Sequence, residues 1–375
     1  MSHRLCRREF LRQSKRAALA FSLLSLPSGT QGSPLSADSK ALISELEEQI
    51  PKLMADARVP GLSIAIIQDG KLLWRQGFGV RDAESRAPFT SDTVFEVASL
   101  SKPVFAYAVM KLCEQGVMDL DTPLTRYTPE RFLPDDPRLD LITARHCLSH
   151  TSGFPNWRSE EEPLKILFTP GEKWSYSGEG YSYLQSVVAH LMGADTAAYL
   201  KANLLRPFRM NASGYFWNDT MEKHMARGHD PEGKPLEKRT RPTAPDVARY
   251  AAAGGLFATV TDYARFLIEI INPKRGDAFH LREASLQEML RPQVKRNESS
   301  VWALGWDIDQ IPGDDFIRHH GGNPGLQCLA AASVTRKSGL VVMINSQNGY
   351  RVVARLVKGE ILPQILGRKL RANLT

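Results

Sequence analysis

Ser99-Leu100-Ser101-Lys102 places a hydroxyl and an amine three residues apart, directly ahead of Pro103 and an apolar stripe. The stripe of Phe105, Ala108, Val109 and Leu112 predicts a helix that begins near Ser99, with Gly116 as its C-terminal cap. Pro103 suits a first turn, where its missing N–H has no partner to lose. Residues three apart share a helical face, so the Lys102 amine is brought toward the Ser99 hydroxyl. That pairing activates a weak alcohol as a nucleophile. Amides at a helix start also favour the negative charge of an oxyanion formed there. The alternative for the same four residues is a serine cap beside a solvated lysine.

Other residues could serve such chemistry. Tyr176 lies in Trp174-Ser175-Tyr176-Ser177-Gly178-Glu179-Gly180-Tyr181, a loop ahead of a helix predicted to start near Tyr183. From a loop its phenol could pass a proton in a cleft, or its ring could simply pack. Arg318-His319-His320-Gly321-Gly322-Asn323-Pro324-Gly325 reads as a strand ending in a glycine-rich turn, where backbone can approach a ligand and the Gly322 amide can donate to an oxyanion. Strand alternation sends His319 and His320 to opposite faces, so one of them looks into the cleft. Arg318 reads as a solvated arginine or an anion contact. His146 and His150, four apart, have zinc-ligand spacing, but no His-Glu-x-x-His run or acidic cluster accompanies them. No metal or cofactor is expected.

The 375 residues are 42% hydrophobic, enough for a substantial core. Of the formal charge of +7, +5 sits in residues 1–32, so the remainder is nearly neutral and no nucleic-acid partner is expected. Arg7-Arg8-Glu9-Phe10-Leu11-Arg12, followed by an apolar stretch from Ala17 to Leu26, resembles a twin-arginine signal peptide spanning residues 1–32. It implies the twin-arginine export machinery as a partner and a periplasmic or otherwise exported destination. The stretch is too short for an ordinary membrane span. Beyond the leader, Cys113, Cys147 and Cys328 read as buried small apolar residues, with one disulfide pair left possible.

These groups need a scaffold. An opening helix carries Ile43, Leu46, Ile50 and Met54, and two β-rich runs, Leu62 to Gln68 and Lys71 to Phe78, flank Asp69-Gly70, a tight-hairpin signal. Strands are predicted at Phe316 to His320, Cys328 to Thr335 and Leu340 to Asn345, then a closing helix with Val353, Leu356, Val357 and Ile361. Helical stripes lie between, at Leu184, Val187, Val188 and Leu191 and at Tyr263, Phe266, Leu267 and Ile270. The expectation is an α/β (α+β) fold: an antiparallel sheet formed from both chain ends, flanked by helices, with an inserted mostly helical region. The expected division is an α/β part at about 33–103 and 300–375 and a helical part at about 104–299. The polar stretch Gly228 to Pro245 reads as a loop over the site or a solvated connection.

Together with Ile142 to Gly153, Pro170-Gly171, Ala253-Gly254-Gly255-Leu256-Phe257-Ala258-Thr259, Asp262 and Leu304-Gly305-Trp306, these stretches resemble the serine β-lactamase and penicillin-binding protein superfamily. The resemblance is to the class C β-lactamase-related branch with its esterases and D-amino-acid peptidases. It implies that Ser99 is acylated, that Lys102 and Tyr176 move its proton, that the amides of Ser99 and Gly322 form the oxyanion hole, and that His319-His320-Gly321 flanks the substrate. Where many relatives have Tyr-x-Asn and Lys-Thr-Gly, this chain has Tyr176-Ser177-Gly178 and His319-His320-Gly321. Histidine, with an ordinary pKa of about 6.5, anchors a carboxylate less dependably than lysine. The expected activity is therefore a metal-independent serine hydrolase acting on small esters, amides or D-amino-acid peptides. The alternatives are a class C-type β-lactamase or a non-hydrolytic peptidoglycan-binding envelope protein.

Overall fold

The computed structural model describes residues 35–358 except 160, 162, 275, 312 and 313. The leader and Ile361 lie outside the described residues. The chain divides into a short unit, Met1–Ala41, and a main unit, Leu42–Thr375, which holds the sheet and the site.

Asp69 and Gly70 both take positive φ (51° and 67°), so β1 (Gly61–Gln68) and β2 (Lys71–Asp82) close as the predicted tight hairpin. The sheet continues through β3 (Ala87–Pro88) on one edge. A short pair, β4 (Phe95–Glu96) with β5 (Phe257–Ala258), stands apart from it. The later strands are β6 (Val294–Lys295), β7 (Ser300–Trp302), β8 (Asp307–Ile311), β9 (Asp314–Asn323), β10 (Leu326–Ser333) and β11 (Ser338–Ile344). The nine-stranded order is β3-β2-β1-β11-β10-β9-β8-β7-β6, and every pairing is antiparallel. β1 and β11 pair within the sheet, joining strands from the two ends of the chain as expected.

The sheet is covered on both faces, which explains why β1, β10 and β11 read as nearly unbroken apolar runs. On one face Ile64, Ile66, Leu329, Val342 and Ile344 pack with Leu46, Ile50 and Met54 of α1 (Ala37–Ala57) and Val353 and Leu356 of α7 (Gly349–Lys358). On the other face Ala65, Ile67, Cys328, Ala330 and Met343 join a larger core. That core takes in α2 (Ser101–Glu114), α3 (Ala144–Leu148), α4 (Gly178–Met192), α5 (Ala244–Gly254) and α6 (Val260–Ile271). The predicted α6 stripe of Tyr263, Phe266, Leu267 and Ile270 is fully buried there.

Several details differ from expectation. Ile43 and Leu191 are half-buried, and α1 turns Leu42 inward with Leu46. α4 starts at Gly178, not near Tyr183, because the Ser177 side chain caps it by accepting from Gly180 N–H. β9 does not stop at His320. It runs through Gly321 and Gly322 to Asn323, and the turn is left to Pro324-Gly325. All three cysteines in the described residues are free, and Cys113 is half-buried rather than buried. The stretch from Gly228 is tied to the β9–β10 turn by His229 N–H donating to Gly325 O (3.2 Å), and it folds back on itself through Leu236 N–H donating to Gly228 O (2.8 Å). No helix among the described residues is long and apolar enough to cross a membrane.

Candidate active site

Ser99 does not begin the α-helix. It sits in a 3₁₀ turn, Ala98–Leu100, that leads into α2 at Ser101. Ala98 takes φ +45°, an uncommon conformation for a residue with a Cβ. Ser101 holds it there: its hydroxyl donates to Ala98 O (2.6 Å) and accepts from Leu256 N–H (2.9 Å). The spacing of Ser99 and Lys102 survives this change, because a tight turn running into a helix also puts residues three apart side by side. Lys102 Nζ donates to Ser99 Oγ at 3.2 Å and to Ala253 O at 2.6 Å.

Lys102 is 1% exposed. Burial strips water from its ammonium and lowers its pKa to about 7. The amine lies 4.8 Å from the centre of the Tyr176 ring and 5.4 Å from that of Tyr181. Tyr176 is half-buried, hydrogen-bonds Ser99 and has its phenol pKa raised by burial, so the phenol keeps its proton at neutral pH. Hydroxyl, amine and phenol therefore meet at one point, with the amine divided between its charged and neutral forms near pH 7 and the phenol protonated.

β9 passes directly behind this turn. A Cβ on Gly321 would lie 2.3 Å from Val97 O, 2.6 Å from Cys328 Sγ and 3.3 Å from Leu100 N, so only glycine permits the approach. β8 pairs with β9 from Asp314 to Arg318 and no further. Residues 319–323, which include Gly322, are thus free of β8 on that edge beside Ser99. The beta-lactamase family matches residues 46–361.

The chain belongs to the beta-lactamase family.

Esterase EstB of Burkholderia gladioli is 29% identical, aligned over 74% of this chain and 81% of EstB. The octameric penicillin-binding protein homologue from Pyrococcus abyssi superposes with a TM-score of 0.71 at 26% identity, covering 87% of this chain and 78% of that one. The beta-lactamase/D-alanine carboxypeptidase from Pseudomonas syringae gives 0.73 at 20% identity, covering 88% and 100%. This family member is a serine hydrolase with the mixed α/β fold expected of it.

The remaining predicted site residues separate. In the β9–β10 register His319 lies opposite Ala330, on the core face shared with Ser99, and His320 opposite Leu329, on the other face. His319 is buried against Tyr176 and Trp302, with ring centres 6.4 and 5.5 Å away. Its Nδ1 bonds His320 O at 2.7 Å, and burial together with Lys102 keeps it neutral by lowering its pKa well below the usual value. His320 is exposed. Neither histidine stands as a fixed cation at neutral pH. Arg318 is no solvated arginine: it is buried and paired with Asp307 (3.1 Å) and Asp309 (2.9 Å), so it is not free to meet an anion. His146 caps α3, its Nδ1 accepting from Thr143 N–H (3.3 Å) in a capping box.

Trp306 is fully buried, and Trp217 joins a small side cluster. Trp157 is 42% exposed and rests over Gly178, where an added Cβ would come within 2.6 Å of its ring. Two contributors had no sequence signal. Trp302 packs at 4.8 to 5.9 Å from His150, Trp174, Tyr176 and His319, and Ser101 reads as ordinary helix filler.

Proposed function

We propose that this protein hydrolyses small esters, and with them small amides or D-amino-acid peptides, through an acyl-enzyme on Ser99. The observation that carries the reading is the buried Lys102 amine, 3.2 Å from Ser99 Oγ and neutral above about pH 7. As Ser99 Oγ attacks the substrate carbonyl carbon, Lys102 takes the hydroxyl proton. The carbonyl π electrons move onto oxygen, and the amides of Ser99 and Gly322 receive that charge. When the tetrahedral species collapses, Tyr176 gives its phenolic proton to the departing oxygen or nitrogen and is reprotonated from Lys102. Water then attacks the acyl group and gives a proton to the same pair; the second tetrahedral species collapses with cleavage of the bond to Ser99 Oγ, the pair returns that proton to Oγ, and the carboxylic acid departs.

Two observations support esters over β-lactams. Gly178 stands where relatives carry the asparagine of Tyr-x-Asn, and Trp157 occupies the space an added side chain would need. His319, neutral and buried, stands in place of a lysine ammonium. EstB, named an esterase, supports the same preference. The class C-type β-lactamase reading keeps the support of the structural relative named a beta-lactamase/D-alanine carboxypeptidase.

The test is a fluorophosphonate probe followed by a substrate panel. We expect the probe mass on the peptide carrying Ser99, and turnover of short acyl esters above that of a chromogenic cephalosporin. An unlabelled Ser99 in active protein removes the mechanism; cephalosporin turnover exceeding ester turnover selects the β-lactamase reading.

We further propose export to the bacterial periplasm by the twin-arginine machinery, supported by Arg7-Arg8 and the apolar stretch after it. Cell fractionation is expected to place the protein in the periplasm, and replacing both arginines with lysine is expected to keep it inside. Unchanged fractionation of that variant refutes the route.

A further inference from the structure

We infer that His150 is a positioning residue that fixes Tyr176 against Lys102, acting as a hydrogen-bond acceptor through Nδ1. This rests on the reading above, in which Tyr176 moves the proton of Ser99. His150 follows α3 and takes φ +58°. In that conformation its two acceptors reach both neighbours of Tyr176. Its carbonyl accepts from Ser175 N–H at 2.8 Å, and its Nδ1 accepts from Ser177 N–H at 3.0 Å. Its ring lies 4.2 Å from the Tyr176 ring, tilted by 35°. Tyr176 is therefore held before it, after it and across its face by one residue.

The clamp works only with an imidazole whose Nδ1 lone pair is free. Accepting from Ser177 N–H requires the proton to sit on Nε2. Protonation of Nδ1 would set a donor against a donor. The surroundings prevent this. His150 is fully buried among Tyr176, Tyr181, Trp174 and Trp302, and the charged or titratable groups facing it are Lys102, His319 and Arg296. Burial, with smaller contributions from Lys102, His319 and Arg296, holds its pKa well below the usual histidine value. Ser177 carries the constraint onward: its hydroxyl donates to Pro155 O (2.9 Å) and accepts from Gly180 N–H (2.9 Å), fixing the start of α4.

Asparagine is the conservative replacement. It tolerates positive φ and offers Oδ1 at the position of Nδ1, whereas glutamine sets its oxygen one carbon further out. His150→Asn and His150→Gln are compared with wild type, each alone and combined with Tyr176→Phe, by kcat and KM on a chromogenic acyl ester and by melting temperature.

The expected result is a His150→Gln kcat lowered about 10- to 100-fold with KM little changed, as for a misplaced catalytic group. His150→Asn is expected within about threefold of wild type, and His150→Gln is expected to add less than about twofold in the Tyr176→Phe background, since coupled residues are not additive. Equal losses in both backgrounds, or an Asn variant as slow as the Gln variant, overturn the inference while leaving the acyl-enzyme reading intact. A Tyr176→Phe protein as fast as wild type overturns both. Should His150→Gln fail to fold, His150→Asn decides alone: a wild-type kcat supports the clamp, and a lost kcat at an unchanged melting temperature refutes it.

Discussion

Lys102→Met is expected to lower kcat/KM by about 100- to 10,000-fold near neutral pH, the usual contribution of a positioned general base. Methionine matches the length of the lysine stem and suits a site already closed to water, so the fold is retained. Ala253 O loses its donor, and an unpaired buried carbonyl costs about 1 to 3 kcal/mol, visible as a modest drop in melting temperature. The pH profile identifies the group. A lysine usually titrates at about 10.4, and burial brings Lys102 to about 7. The catalytically useful form is the neutral one. Wild-type kcat/KM therefore rises as pH rises through about 7 and falls about tenfold per unit well below it. Lys102→Met is expected to lack that limb. A variant that keeps both the limb and a near-normal rate assigns the base to another residue.

Gly321→Ala is expected to lower kcat/KM by about 100-fold or more, through the strand and not through any lost side chain. The new Cβ would stand 2.3 Å from Val97 O and 2.6 Å from Cys328 Sγ, so β9 must retreat from the turn that carries Ser99. Gly322 retreats with it. Losing one oxyanion donor costs about 100- to 1,000-fold in well-characterised hydrolases. Fluorophosphonate labelling of Ser99 is expected to slow in parallel, and the circular dichroism of the sheet to persist. Gly321→Ala with wild-type turnover shows that β9 does not help to form the oxyanion hole.

Much of this architecture was legible before any coordinates because it rests on short-range physics. The Asp69-Gly70 hairpin, the α6 stripe and the Ser99–Lys102 spacing each depend on residues within a turn or two of one another. Where the reading slipped, a distant partner intervened. β9 runs beyond His320 because β10 pairs with it as far as Asn323, and Arg318 is buried because Asp307 and Asp309 on the neighbouring strand accept its charge.

From sequence alone the pairing of Ser99 with Lys102, the joining of both chain ends in one sheet and the family resemblance were already determined, since each is encoded in local spacing or in the order of motifs. The tertiary structure alone decided which histidine lies beneath Tyr176, that Ser101 and Trp302 support the site, and that burial brings the pKa of Lys102 down to about 7. An amine's charge depends on how much water reaches it, and at Lys102 that is settled by chain from Tyr176, Tyr181 and Ala253, roughly 70 to 150 residues away.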